Sequence, residues 1–95
     1  MVAYWVARSK VNDPEQYKKY ADLAPAIIGK FGGKFLARGV AAQAYEAGIK
    51  ERIVVIEFPS VAAAIAAHDS PGYQAALKVF NNAGERDFRI VEGVE

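Results

Sequence analysis

Three positions in this chain carry side chains that could do chemistry. His68, its only histidine, stands directly beside Asp69 in the run HDSPGY. An imidazole oriented by a carboxylate can take up and return a proton near neutral pH. Glu57 shares a strand face with Ile53 and Val55 in RIVVIEF, and a carboxylate on an apolar face needs a partner. Arg38 precedes Gly39 in KFLARG. A guanidinium grips carboxylates and phosphates in two-pronged fashion, and the missing glycine side chain lets a ligand or backbone approach.

Each position also has a plainer reading. Ser70 and Pro71 suit a helix start, as cap and first-turn residue, and His68 then closes the preceding helix near the negative end of its dipole. Glu57 has Arg38, Arg52 or Arg89 as conceivable partners across a subunit interface, a buried pairing that specifies geometry more than it stabilises. Arg38 as one half of a surface ion pair would contribute little.

The elements that must position these groups follow from periodicity. Residues 2–11 alternate as a strand, with Val2, Tyr4 and Val6 on one face and Ala3, Trp5 and Ala7 on the other. Both faces are apolar, which predicts burial on two sides. Tyr4 and Trp5 therefore point apart, and only one of them can line a given cavity. NDPEQ opens a helix, with Asn12 or Asp13 as cap and Pro14 in the first turn. Tyr17, Tyr20, Ala24, Ile27 or Ile28, and Phe31 form its apolar stripe. Pro25 is expected to interrupt and bend it, and Gly32 or Gly33 to end it.

Residues 34–39 form a second strand, and a loop or irregular edge segment leads to a third over 52–58. Ser60 caps an alanine-rich helix over 61–68. The helix restarts after DSP and carries Tyr73, Ala76 or Leu77, and Phe80 until Gly84. Residues 86–93 form the last strand. The aromatic residues on helical stripes read as core, with a tyrosine hydroxyl such as that of Tyr73 available at a pocket rim.

Composition narrows the function classes. Ninety-five residues suit a single domain spanning 1–95, and the hydrophobic share of 53% is high enough to leave apolar surface for a partner. Twelve Lys and Arg against eleven Asp and Glu give a net charge of +1 and are scattered. That pattern argues against a nucleic-acid stripe or a basic membrane patch. Without cysteine there are no disulfides or thiolate metal sites, and one histidine means any multi-imidazole site would be shared between subunits. No metal or cofactor is expected. FGGK lacks the spacing of a phosphate loop, and no Gly-x-Ser-x-Gly motif occurs. The first residues lack the apolar core of a signal peptide, and no apolar run is long enough to span a membrane. The expectation is a soluble cytoplasmic protein.

The order β-α-β-β-α-β, with its second helix broken in two, packs most economically as an α+β, ferredoxin-like four-stranded antiparallel sheet with helices on one face. Strands one and three are apolar on both faces, so a second copy of the chain is expected to cover the open face as a homodimer.

DPEQYKKY, FGGKFLARG, RIVVIEFPS and DSPGYQAALKVF resemble, in order and spacing, the family catalogued as domain of unknown function 1330. The resemblance spans nearly the whole chain and implies the dimeric α/β-barrel form of this fold. A looser likeness links EFPSVAAAIAAHDSPGY to antibiotic-biosynthesis monooxygenases, some of which oxygenate small aromatic substrates without a cofactor. It implies His68 as general base and Glu57 as its orienter; Arg38 is the expected anchor of an anionic group on the family likeness, and Tyr4, Trp5 and Tyr73 are candidate substrate-binding residues. Val40 stands where the first family often has a second glycine, narrowing the space beside Arg38, and Gly72 stands where an acidic residue is common. Two functions are carried forward. One is a small-molecule site, catalytic in the manner of a monooxygenase or isomerase; the other is a non-catalytic binding or stress-related accessory protein.

Overall fold

The computed structural model describes residues 1–94. Its elements are β1 (Ala3–Val11), α1 (Pro14–Lys30), β2 (Lys34–Val40), β3 (Arg52–Phe58), α2 (Val61–Asp69), α3 (Pro71–Phe80) and β4 (Gly84–Glu92). Local chemistry sets their ends. The Asp13 carboxylate accepts from the Gln16 amide at 3.2 Å, opening α1 with Pro14 in its first turn. Ser60 caps α2 by accepting from the Ala63 amide at 3.0 Å. Ser70 closes α2, donating its hydroxyl to the Ala67 carbonyl, and opens α3 by accepting from the Tyr73 amide. The break between these helices is thus a single shared residue.

α1 runs unbroken through Pro25, contrary to the expected interruption. The ring removes one amide donor, but the packing of Tyr20, Ala24 and Ile28 into the core holds the helix on both sides of it. Past Phe31 the chain turns at Gly32, whose φ of 81° is left-handed. The Gly32 amide donates to the Gly29 carbonyl and the Gly33 amide to the Ile28 carbonyl, which satisfies the free carbonyls of the last turn.

The strands form one antiparallel sheet in the order β2-β3-β1-β4, the ferredoxin-like arrangement. Register divides β1 cleanly. Ala3, Trp5, Ala7 and Ser9 are buried beneath the helices, opposite Phe58, Ile56, Val54 and Arg52 of β3. Trp5 is the hub of this core: its indole nitrogen donates to the Ala64 carbonyl at 2.9 Å, and its ring lies about 5 Å from those of Phe58, Tyr73 and Phe88. Tyr4, Val6 and Arg8 occupy the other face, opposite Glu57, Val55 and Ile53. No helix covers them. Val6 is 37% exposed and its neighbour Val91 on β4 52%. Around this apolar centre lie ion pairs of Arg8 with Glu51 (3.3 Å) and of Arg89 with Asp87 (3.0 Å). Among the described residues no helix is long and apolar enough to cross a membrane.

Two glycines near the end of α1 give opposite stability predictions. A Cβ on Gly33 would strike the Ile28 side chain and lie 2.9 Å from both the Ile28 carbonyl oxygen and the Phe58 ring. Gly33→Ala is expected to lower stability by about 1–3 kcal/mol. A Cβ on Gly29 would meet nothing within 4 Å, so Gly29→Ala should raise stability by about 0.5–1 kcal/mol. Urea denaturation of the two variants checks both signs, and a stable Gly33→Ala protein would refute the close approach of this turn to the core.

Candidate functional site

Between α1 and the covered face of the sheet lies a cleft with a volume of about 40 Å³. Its walls are apolar and aromatic, contributed by Trp5, Phe35, Ile56, Phe88 and, from α1, Ala21, Ala24, Pro25 and Ile28. Into it project three arginines and the hydroxyl-bearing residues Ser9, Tyr17, Tyr20 and Tyr73, with no carboxylate.

Each arginine arrives by a separate piece of strand geometry. Arg86 on β4 pairs with Ser9 and shares the covered face with Phe88 and Ile90. Arg52 opens β3 on the same face, also opposite Ser9. Arg38 reaches it through a β-bulge. The pairing of β2 with β3 shifts between Phe35 and Ala37, so that Phe35 opposes Ile56 and Arg38 opposes Val54, both on the covered face. Residues three apart would otherwise point to opposite faces. The Arg38 guanidinium then lies 4.9 Å from the centre of the Phe35 ring.

Arg86 anchors the inner end. Its terminal nitrogens donate to the hydroxyl oxygens of Tyr20 (3.0 Å) and Tyr73 (3.1 Å), which are themselves 2.5 Å apart. The rings of Tyr20, Phe80 and Phe88 surround the guanidinium at 5.1–5.5 Å. One hydroxyl donates to the other, which leaves the second proton for whatever occupies the cleft. Burial, and next the neighbouring Tyr73, hold the Tyr20 hydroxyl well above the ordinary tyrosine pKa despite the opposing pull of Arg86. Desolvation works against the Arg86 charge, but its interactions with Tyr20 and Tyr73 outweigh it and raise the pKa. Tyr20 is therefore neutral and Arg86 cationic at physiological pH. Nearer the mouth, Arg52 donates from Nε to the Tyr17 hydroxyl at 2.9 Å. Among the described residues none of Arg38, Arg52 and Arg86 forms an ion pair.

The structure brings together three of the six residues singled out in the sequence. Trp5, Tyr73 and Arg38 line the cleft. Tyr4 does not, because it points to the open face beside Glu57 and Val91. His68 and Glu57 do not meet. Glu57 lies on the open face opposite Tyr4 and Lys34, whereas the His68 ring packs under the helices, 5.4 Å from Tyr73 and 5.2 Å from Phe88. The sheet separates them. The imidazole nitrogen Nδ1 instead pairs with Asp69 at 3.0 Å, outside the cleft. Nor can Glu57 reach Arg38 or Arg52 of its own chain, which project from the covered face, and Arg89 is engaged with Asp87. Gly39, opposite Ile53, faces open space rather than the cleft.

Sequence reasoning missed Arg52, Arg86, Tyr17 and Tyr20 as site residues. A signal was present for the arginines, since Arg52 alternates in phase with Val54, Ile56 and Phe58, and Arg86 with Phe88 and Ile90. A cation in phase with core residues must find its partners beneath the helices. Among the described residues no three His, Asp or Glu side chains gather to hold a metal.

A family model described as Domain of unknown function (DUF1330) matches residues 2–94. No curated protein matches. A protein of unknown function from Rhodopseudomonas palustris is similar in structure, with a TM-score of 0.75 and 16% identity over 99% of this chain and 83% of that one. SnoaB, a cofactor-independent oxygenase from Streptomyces nogalater, gives a TM-score of 0.68 and 14% identity over 99% of this chain and 94% of that one. A dimeric protein of unknown function with a ferredoxin-like fold, from Bacteroides fragilis, gives 0.63 and 15% over 97% and 96%. At these identities the likeness establishes the fold.

The Tyr20 hydroxyl makes stability pH-dependent with a definite sign. An unfolded tyrosine ionises near pH 10, while folded Tyr20 keeps its proton higher. Above that point the unfolded state binds fewer protons, so stability falls as pH rises, by at most about 1.4 kcal/mol per pH unit for one group. Tyr20→Phe should flatten this fall in urea denaturation followed from about pH 8 to about pH 11. An unchanged slope would show that Tyr20 is not held neutral by its surroundings.

Proposed function

The chain belongs to the DUF1330 family, and from that premise we propose that it is a homodimer whose protomers each bind a small anionic or aromatic molecule in the cleft beneath α1. One observation carries this reading: three arginines without carboxylate partners converge on a cleft whose other walls are aromatic and apolar. Arg52 and Arg86 are only partly exposed, and such cations against apolar walls are costly unless something negative offsets them; exposed Arg38 adds its charge at the rim.

The homodimer follows from the open face. Tyr4, Val6, Ile53, Val55 and Val91 form an apolar centre ringed by charge, the anatomy of a face that meets a second protein. Glu57 lies on this face opposite Tyr4 and would then belong to the association surface. A dimeric neighbour with the same fold supports this. Trp5, Tyr73 and Arg38 then act in ligand binding, whereas Tyr4 belongs to the association face.

A second reading, cofactor-independent oxygenation of an electron-rich aromatic, is favoured by the likeness to SnoaB. It cannot run through a His68–Glu57 pair within one chain, since these groups lie across the sheet from each other. His68 would act only through the Trp5 and Tyr73 rings it packs against, as a positioning residue.

Sedimentation equilibrium should find a dimer, and Val6→Asp, at an exposed position, should weaken association by about a hundredfold or more. Trp5, the only tryptophan, reports on the cleft. Its fluorescence should respond saturably to benzoate, and Arg38→Ala should weaken that response about tenfold. A monomer at high concentration would remove the assembly; silence of Trp5 to every small aromatic or anionic compound would remove the site.

A further inference from the structure

Arg86 is a largely desolvated charge with no counter-ion of its own. Two neutral hydroxyls and three ring faces solvate it, and these compensate a cation only in part. Its guanidinium has five N–H donors, of which the tyrosines take two. The remaining donors, together with the unspent tyrosine proton, suit one kind of group, an oxygen atom bearing negative charge.

The dimensions of the cleft say which part of a molecule can reach them. At about 40 Å³ the cleft is far below the roughly 300–1,000 Å³ of small-molecule sites, so it takes only part of a ligand. The cleft is not closed, however. Ser9, Tyr17 and Arg52 line both it and a wider groove of about 410 Å³, bounded by Val11, Pro14 and Val40. That volume is in the range of small-molecule sites. Of its other charged lining residues, Glu51 is held by Arg8 at 3.3 Å, and Lys10 is cationic. Val40 is 69% exposed and supplies apolar surface to the groove.

Resting on the small-molecule reading above, we infer that the ligand is an amphipathic organic acid. Its anionic oxygens enter the cleft to Arg86, Tyr20 and Tyr73, and its apolar body passes the Arg52–Tyr17 pair into the groove beside Val11, Pro14 and Val40. The narrow compartment reads charge, and the wide one reads length.

Calorimetric titration with straight-chain carboxylates from butyrate to octanoate, and with the matching amides, tests both parts. The acids should bind at least about tenfold more tightly than their amides. Affinity should rise about threefold for each added methylene that the groove covers. Arg86→Gln should reduce the acids to the affinity of the amides, and Arg86→Lys should restore part of the difference. Val40→Asn, at an exposed position, should flatten the dependence of affinity on chain length. Equal affinity of acids and amides for the unaltered protein would overturn the inference, whatever the variants do, and so would an affinity independent of length. Saturable binding of neutral aromatic compounds without preference for acids would sink this inference alone; absence of any saturable ligand would sink the cleft as a binding site too.

Discussion

A strand in a sheet sends alternate side chains to opposite faces, and in this protein only one face is roofed by helices. That constraint allocates every functional group. Ser9, Arg52 and Arg86 meet because they share one phase of three paired strands. Tyr4 and Glu57 share the other phase and belong to a different surface. Arg38 crosses between the two by a single irregularity, the bulge in β2. A shift of β2 by one residue would send Arg38 to the open face and leave the outer end of the cleft without its cation.

The covered face bears an electrostatic load that an apolar core would not. Replacing a buried charge with well-packed apolar groups is often neutral or stabilising, so retention of Arg86 under α1 and α3 is not explained by stability. Its surroundings are organised to hold it: two hydroxyls fixed against one another, and three rings whose negative faces stand in for a carboxylate. A carboxylate would have neutralised the charge; tyrosines orient it and leave its field in the cleft. Tyr20 must then remain protonated, and desolvation by the same core ensures that it does.

The turns and caps were legible in the sequence because they are local. Asp13, Ser60, Ser70, Pro71 and Gly32 act within three or four residues of themselves, and their types state what they do. The phase of each strand was legible too. Which phase lies under the helices was not, because β1 and β3 are apolar on both faces and hydropathy cannot choose between them. The same ambiguity made Glu57 and His68 look like partners: each sits correctly along the chain, and only the side of the sheet separates them. The bulge in β2 left no mark, as Leu36 carries no glycine or proline signature. The continuity of α1 through Pro25 was hidden for a different reason, since it depends on tertiary burial of the flanking turns rather than on propensity.

Pro25 bears on how the cleft is entered. A proline within a helix removes the donor that would bond the carbonyl four residues earlier, here that of Ala21. Both Ala21 and Pro25 line the cleft. The backbone of α1 is therefore least tied along a wall of the cleft, while Tyr20, Ala24 and Ile28 keep the helix seated on the core. Flexure at such a point costs less than displacement of the whole helix, which would also uncover those buried side chains. The opposite wall is a paired sheet with no comparable freedom. Any widening of the cleft thus falls to α1, and the arginines, all three on strands, keep their places while it happens.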